Sequence, residues 1–102
     1  MGKYEEALKN YKEGLVITSD VLEKNNANYA NILNCIGLTY NNMGKYKEAL
    51  ENYKECLIIR KEILGQKHLD YAIVVNNIGL TFEKMGQFKE ALENYKDSLA
   101  IT

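Results

Sequence analysis

A 42-residue internal repeat constrains the fold of this chain more strongly than any other feature of its sequence. The segment MGKY at residues 1–4 recurs at 43–46 and, as MGQF, at 85–88. Residues 1–42 and 43–84 are identical at 21 positions, and residues 85–102 match 43–60 at 12 of 18 positions. The 102 residues therefore form one domain of about 2.4 tandem units (1–42, 43–84 and a partial 85–102), which we expect to be part of a longer array.

Each unit carries two apolar stripes with helical spacing. Apolar residues that recur every three or four positions predict one buried helical face. In the longer stripe of the second unit they are Tyr46, Ala49, Leu50, Tyr53, Cys56, Leu57, Ile59, Ile63 and Leu64. The shorter stripe is Leu33, Ile36, Gly37 and Tyr40, and it repeats as Val75, Ile78, Gly79 and Phe82. The stripes predict helices over about 3–24, 28–42, 45–64, 70–84 and 87–101.

Residues at the ends of the stripes favour helix termination and restart. Gly44 and Gly86 follow the shorter stripes and Gly65 follows a longer one, because glycine adopts the left-handed conformation of a helix C-terminus without strain. Asp70 is predicted to cap the N-terminus of the next helix. The β-branched run at 73–75 would favour a strand on its own. The equivalent residues of the first unit lack that bias, so the shared periodicity predicts a helix.

Five antiparallel helices with short connections predict an all-α solenoid of helix hairpins. A single hairpin cannot bury its apolar stripes alone, so each hairpin must stack on the next one. Proline is absent from the chain, which favours uninterrupted helices.

Small and aromatic residues recur at fixed offsets across each pair of helices. They are Gly37, Tyr40, Ala49, Tyr53 and Leu57, and one unit later Gly79, Phe82, Ala91, Tyr95 and Leu99. This frame resembles the tetratricopeptide repeat, and the resemblance covers the whole chain. It implies a right-handed superhelix in which Gly37 and Ala49 let the paired helices approach closely, while Tyr40 and Tyr53 fill the space beside them.

The period is longer than the 34 residues of the usual tetratricopeptide repeat. All eight extra residues fall between one hairpin and the next, where they lengthen the second helix by roughly two turns. In this respect the chain resembles the 42-residue repeats of kinesin light chains, which usually carry proline where Leu69 stands.

The charge balance argues against a nucleic-acid partner. Thirteen Lys and Arg residues are offset by 14 Asp and Glu residues, and Arg60 is the single arginine. The chain therefore has no basic excess to neutralise phosphates and almost no arginine to contact base edges. The aromatic residues fall at equivalent positions of successive units, which indicates core packing rather than base stacking.

The sequence also predicts a cytoplasmic protein with no membrane association. The longest apolar run covers residues 71–75, whereas a membrane span needs about 20 apolar residues. No signal-like segment follows the first residues, and two cysteines are too few for a disulfide framework, which fits a reducing compartment.

No combination of residues predicts catalysis. His68 is the single histidine and falls in a predicted loop between hairpins. Cys35 and Cys56 occupy repeat positions that hold other small or polar residues elsewhere, so we interpret them as packing residues. A structural zinc site has about four Cys or His ligands, and the chain has three that are not clustered in sequence. We expect no enzyme activity, no metal and no cofactor.

The function that remains is protein–protein interaction or scaffolding. In tetratricopeptide-like arrays the first helix of each hairpin lines the concave side and binds peptides. The resemblance assigns this role to Asn31, Asn34, Leu38, Asn41, Ile73, Asn76, Leu80 and Glu83. Asn34 and Asn76 are equivalent in successive units, and an amide that both donates and accepts could bind the backbone of any peptide. The alternative interpretation is a solvated polar face.

A second hypothesis is self-association through the ends of the array. Solenoids need caps because their terminal faces are apolar, and neither end of this sequence shows an evident polar capping helix. Apolar residues near both ends repeat positions that contact neighbouring helices inside the array. They are Leu8, Leu15 and Ile17, and Leu92, Leu99 and Ile101. On this hypothesis copies stack head to tail, and no dedicated peptide ligand is needed.

Overall fold

Five helices form in the order that the repeat predicts. The computed structural model describes the backbone of residues 2–21, 27–64 and 69–101, and the side chains of 2–16, 28–61 and 70–101. The helices are α1 (Gly2–Val21), α2 (Ala27–Asn42), α3 (Tyr46–Leu64), α4 (Leu69–Lys84) and α5 (Phe88–Ile101). These described ranges contain no strand, and the all-α prediction is confirmed. Gly65, His68 and the side chain of Ile17 lie outside the described residues.

Each helix packs against the helix that follows it in the chain, from α1 on α2 to α4 on α5. α2 also touches α4, so the first helices of successive hairpins are direct neighbours. The molecule is a slab of 37 × 35 × 16 Å, which is two helix layers thick. This is the stacked-hairpin arrangement that the 42-residue period predicts.

Gly44 and Gly86 end α2 and α4 as predicted. Both residues have positive φ angles, 80° and 79°. After α2, the Gly44 N–H donates to the Asn41 carbonyl at 3.1 Å and the Lys45 N–H donates to the Tyr40 carbonyl at 2.9 Å. This pair of bonds defines a Schellman motif, which requires a residue that tolerates the left-handed conformation. The same pair recurs after α4.

The start of α4 differs from the prediction. α4 begins at Leu69, so Asp70 lies inside the first turn rather than at the N-cap. The Asp70 carboxylate pairs instead with Arg60 of α3, with Oδ2 3.3 Å from Nη1. An acidic side chain in the first turn still stabilises the helix through its interaction with the macrodipole.

The helices of each hairpin meet where a glycine faces a tyrosine ring. Tyr53 is fully buried against Gly37, and a Cβ at Gly37 would lie only 2.5 Å from Tyr53 Cε1. In the next hairpin a Cβ at Gly79 would lie 2.8 Å from Tyr95 Cε1. Ala49, at the predicted small position of α3, is completely buried. The close helix contact predicted from the glycine and alanine frame is therefore confirmed.

One core cluster runs through three consecutive helices. Its buried members are Tyr29, Ala30, Leu33, Ala49, Leu50, Tyr53, Cys56, Ile59, Val74 and Ile78. These residues come from α2, α3 and α4, and Leu15 of α1 packs against them. Burial of each large apolar side chain contributes roughly 1.5–3 kcal/mol. Because the cluster crosses the boundary between hairpins, the α2–α3 hairpin and α4 share one core.

We expect Gly37→Ala to lower the free energy of unfolding by about 1–2 kcal/mol. The new Cβ would overlap the Tyr53 ring. The destabilisation caused by such overpacking typically exceeds the roughly 1 kcal/mol that alanine contributes through its higher helix propensity. Urea denaturation followed by circular dichroism measures the change.

Gly14→Ala in α1 is the matched control for this experiment. Its Cβ would meet only the end of the Ile32 side chain, with Cδ1 at 3.3 Å, and this atom can move. The propensity gain should then dominate and raise stability. Equal effects of the two substitutions would contradict the role that we assign to Gly37.

Candidate partner-binding site

Two hydrogen bonds join α2 and α4, which are the first helices of the α2–α3 and α4–α5 hairpins. Asn77 Nδ2 donates to Asn34 Oδ1 at 3.1 Å, and Thr81 Oγ1 donates to Asn41 Oδ1 at 3.0 Å. Thr81 and Asn41 are both buried, and shielding from water strengthens such a bond. These bonds fix α4 relative to α2. We call the exposed side of the joined pair, which carries Leu38, Ile73 and Leu80, the first-helix face.

The first-helix face combines aliphatic side chains with amides. Leu38, Ile73 and Leu80 are between 38% and 46% exposed. Asn31 of α2 and Asn76 of α4 are exposed near them. Protein-binding surfaces typically combine apolar side chains with polar groups, such as amides, that can donate and accept hydrogen bonds.

Asn41 is not on the exposed surface, contrary to its predicted place in the groove. It is buried because its amide oxygen accepts the bond from Thr81. Asn34 is half-buried and bonded to Asn77, whereas its equivalent Asn76 is exposed. The physical cause is coverage: α4 lies against this side of α2, and no described helix lies against the same side of α4.

Arg60 connects an edge of the first-helix face to α3, a role that the repeat pattern does not predict. Its Nη2 donates to Asn31 Oδ1, and its Nη1 pairs with the Asp70 carboxylate. The arginine side chain is buried, and its Nε has no hydrogen-bond partner among the described residues. Equivalent positions hold Thr18 and Thr102. The one sequence feature that could have indicated this role is that Arg60 is the single arginine in a lysine-rich chain. Unlike a lysine ammonium, a planar guanidinium can bridge two acceptors in a fixed geometry.

Cys56 and Ser98 occupy the same repeat position and make the same contact. Cys56 Sγ donates to the Ala30 carbonyl at 3.2 Å, and Ser98 Oγ donates to the Ala72 carbonyl at 3.0 Å. Each bond links the second helix of a hairpin to its first helix. Burial raises the pKa of the Cys56 thiol, which keeps it in the unreactive neutral form. These contacts support the interpretation of Cys56 as a packing residue.

Tyr53, which is buried, and its equivalent Tyr95, which is half-buried, differ in the partners of their hydroxyl groups. Tyr95 donates to Glu83 Oε1 at 2.6 Å, and burial together with this bond raises the pKa of Tyr95 to about 12. The Tyr53 hydroxyl is buried with no partner among the described residues. Asn41 stands where Glu83 stands in the next hairpin, and its oxygen is bonded to Thr81 instead. The first hairpin thus has the Asn41–Thr81 bond to its neighbour, whereas the second has the Tyr95–Glu83 bond within itself.

A cavity of about 600 Å³ opens on the other side of the slab, between α3, α4 and α5. Its lining residues are Leu57, Tyr71, Val75, Asn94, Asp97, Ala100 and Ile101.

The residues predicted for end-to-end stacking fall into two groups. Leu8 is buried and Leu15 is half-buried against the core cluster, because α2 covers this side of α1. Leu8 is therefore not available to an end-to-end contact, and stacking through Leu15 stays a prediction. On α5, Leu92 and Leu99 are 53% and 74% exposed, and Ile101 is half-buried.

Within the described residues, no three His, Cys, Asp or Glu side chains come together as metal ligands would. None of the described helices has the length and apolar composition required to cross a membrane.

Stacked helix hairpins with an exposed face of aliphatic and amide side chains define a helical-repeat module for protein–protein interaction or scaffolding. The sequence profile of the tetratricopeptide repeat family matches residues 28–102, and the chain belongs to this family. The fold of this family is a non-catalytic interaction fold.

Solved structures share this fold. BtubC (BKLC) from P. vanneervenii has a TM-score of 0.92 at 23% identity, over 98% of this chain and 39% of that one. Nearly identical TPR-like repeats from Podosopora anserina, described as a putative kinesin light chain, have a TM-score of 0.85 at 20% identity, over 98% of this chain and 47% of that one. A methionine-substituted variant of those repeats has a TM-score of 0.84 at the same identity and coverage.

The chain thus spans less than half the length of each of these structures. At these identities the likeness shows the fold alone, and at that level the predicted resemblance is confirmed. A comparison with curated proteins finds no match.

We expect the substitutions Tyr53→Phe and Tyr95→Phe to change stability in opposite directions. Removing the unpartnered hydroxyl of Tyr53 should raise the free energy of unfolding by about 1 kcal/mol, since a buried polar group without a hydrogen bond is destabilising. Tyr95→Phe should lower it slightly, by about 0.5 kcal/mol, through loss of the bond to Glu83, because that bond is exposed and water can replace it. Urea denaturation at pH 7 compares the two, and changes of the same sign would refute the assignment.

Proposed function

We propose that the first-helix face binds an extended or helical segment of a partner protein. The observation that carries this proposal is the matched exposure of Leu38 and Leu80, which are equivalent in successive units. They lie on two helices that are bonded side by side, so a partner can contact both at once. In tetratricopeptide arrays the corresponding face is concave and holds peptides.

The chemistry of the face suggests what the partner offers. Packed helices have axes about 8–10 Å apart, a distance that an extended chain covers in roughly three residues. A segment that crosses α2 and α4 would therefore place apolar side chains about two to four residues apart over Leu38 and Leu80. The exposed amide of Asn76 can bond its backbone irrespective of sequence.

The chain acts by binding rather than by catalysis, and we place it in the cytoplasm. The family fold supports the first inference. Cys35 and Cys56 are free thiols, which supports a reducing compartment. We propose protein partners and no nucleic acid, because acidic and basic residues are nearly balanced.

Selection of a random peptide display library on the immobilised chain tests the proposed face. Peptides that bind the wild type should lose at least about tenfold in affinity for Leu38→Glu and Leu80→Glu, because a charge would be buried beneath the peptide. Ile58→Glu is the control, since Ile58 is an equally apolar exposed residue on α3. Selected peptides that bind the Leu38 and Leu80 variants as well as the wild type would overturn the proposal.

A second candidate function is self-association, favoured by the exposure of Leu92 and Phe88 on α5. Because Leu8 is buried and Leu15 is half-buried against the core cluster, head-to-tail stacking would have to use mainly other residues of the second copy. A self-complementary contact of α5 with α5 is the simplest arrangement that remains.

Light scattering at increasing protein concentration tests this candidate. We expect the wild type to shift from monomer to dimer and Leu92→Glu to remain monomeric, because the substitution places a charge in an apolar contact. Ile58→Glu should still dimerise. A strictly monomeric wild type at millimolar concentration would exclude the α5 contact.

A further inference from the structure

The charged residues of this chain are concentrated on its second helices, α1, α3 and α5. These helices contain seven, eight and five charged residues, respectively. Of the first helices, α4 contains three charged residues and α2 contains none. The first-helix face is therefore built on the two helices with the least charge.

The three charged residues of α4 lie close to its ends. Asp70 is in the first turn, and Oδ2 of its carboxylate lies 3.3 Å from Nη1 of the buried Arg60. Glu83 and Lys84 are the last two residues of the helix. Between these ends, residues 71–82 contain no charged side chain.

This uncharged stretch contains the exposed leucine that α4 contributes to the first-helix face. Leu38 of α2 and Leu80 of α4 are 38% and 40% exposed. Their polar companions are the half-buried amide of Asn34 on α2 and the exposed amide of Asn76 on α4. We call these four residues the central face. A partner that crosses both leucines meets aliphatic and amide groups there.

The hydrogen bonds that the α2 amides already make leave their N–H groups for a partner. Asn34 Oδ1 accepts the bond from Asn77, and at the edge of the face Asn31 Oδ1 accepts the bond from Arg60. The remaining Nδ2 groups can donate to a carbonyl oxygen, but they have no net charge with which to neutralise a carboxylate. The Arg60 guanidinium does not supply that charge, because Asp70 already compensates it.

We propose, on the basis of the binding function proposed above, that the first-helix face selects a partner segment without charged residues at the positions over Leu38 and Leu80. A carboxylate or an ammonium group there would lose its hydration and meet no opposite charge, which is strongly unfavourable. Aliphatic residues have no such cost. Serine, threonine and asparagine have a smaller one, because their polar groups can exchange hydrogen bonds with the amides of Asn34 and Asn76.

Charges nearer the ends of the face have a smaller effect. Glu83 is exposed, and its Oε1 already accepts the hydrogen bond from Tyr95. A partner lysine that reached Glu83 would form an exposed ion pair, and such pairs contribute little because water and salt screen them. The discrimination against charged segments therefore arises at the central face.

Selection of a random peptide library on the wild type and on the double variant Leu38→Gln, Leu80→Gln identifies the peptides that bind this face. Neutral substitutions are used because a charged one would itself discriminate between acidic and basic peptides. We expect the peptides that are enriched on the wild type and lost on the double variant to contain fewer charged residues than the starting library. Their Kd should change less than about twofold between about 0.05 and 0.5 M NaCl.

Substitutions in a selected peptide separate the centre of the face from its ends. Replacing a central apolar residue of the peptide by Glu or by Lys should weaken binding at least about tenfold, because either charge is buried without a partner. A lysine added at either end of the peptide should change the affinity less than about threefold. Fluorescence anisotropy with the labelled peptide and the whole chain measures both effects.

Asn76→Lys provides the reverse test, because it places a cation on the central face at an exposed position. Selection on this variant should recover peptides that contain Asp or Glu, and their affinity should fall about two- to fivefold over the same salt range. Ile58→Lys is the matched control, since Ile58 is exposed on α3 and lies outside the first-helix face. It should select the same uncharged peptides as the wild type.

Three results would overturn this inference and leave the proposed binding face intact. One is an enrichment of acidic or basic residues in the peptides that the double variant loses. Another is a loss of affinity of more than about fivefold over the salt range. The third is a selection on Asn76→Lys that returns the same peptides as the wild type. If the double variant loses none of the selected peptides, the binding face itself is wrong and the inference fails with it.

Discussion

The packing of a tyrosine ring directly on a glycine holds this structure together. Tyr53 on Gly37 and Tyr95 on Gly79 occupy space that a Cβ would need. The Tyr53 residue is completely buried, and Tyr95 is half-buried. This contact sets the separation of the two helices. The second helix can then reach the first helix's backbone, as the Cys56 thiol does at the Ala30 carbonyl. Small residues at these positions are therefore a geometric requirement as well as a packing preference.

Equivalent residues of a repeat protein acquire different roles because their neighbours differ. Asn34 and Asn76 have the same place in the repeat, yet one is bonded across the α2–α4 contact and the other is exposed. Leu50 and Leu92 differ in the same way. In a one-dimensional stack, coverage by the next hairpin decides whether a residue stabilises the fold or is available to a partner.

One connection is specific to the second unit. Arg60 bridges Asn31 and Asp70, and so links three helices around a buried guanidinium. The two acceptors remain partly in contact with water, which limits the free energy that the bridge contributes. Its main consequence is positional, because it fixes α4 relative to α2 beside the first-helix face.

The sequence alone determined the period, the five helices and the ends of α2 and α4, because helix periodicity and glycine termination are local properties. The offsets between small and aromatic residues also determined the contact of Gly37 with Tyr53. Only the tertiary structure decided that Asn41 is buried, that Leu8 is interior and that Asp70 faces Arg60. These outcomes depend on which helix covers each side, and residues distant in sequence supply that cover.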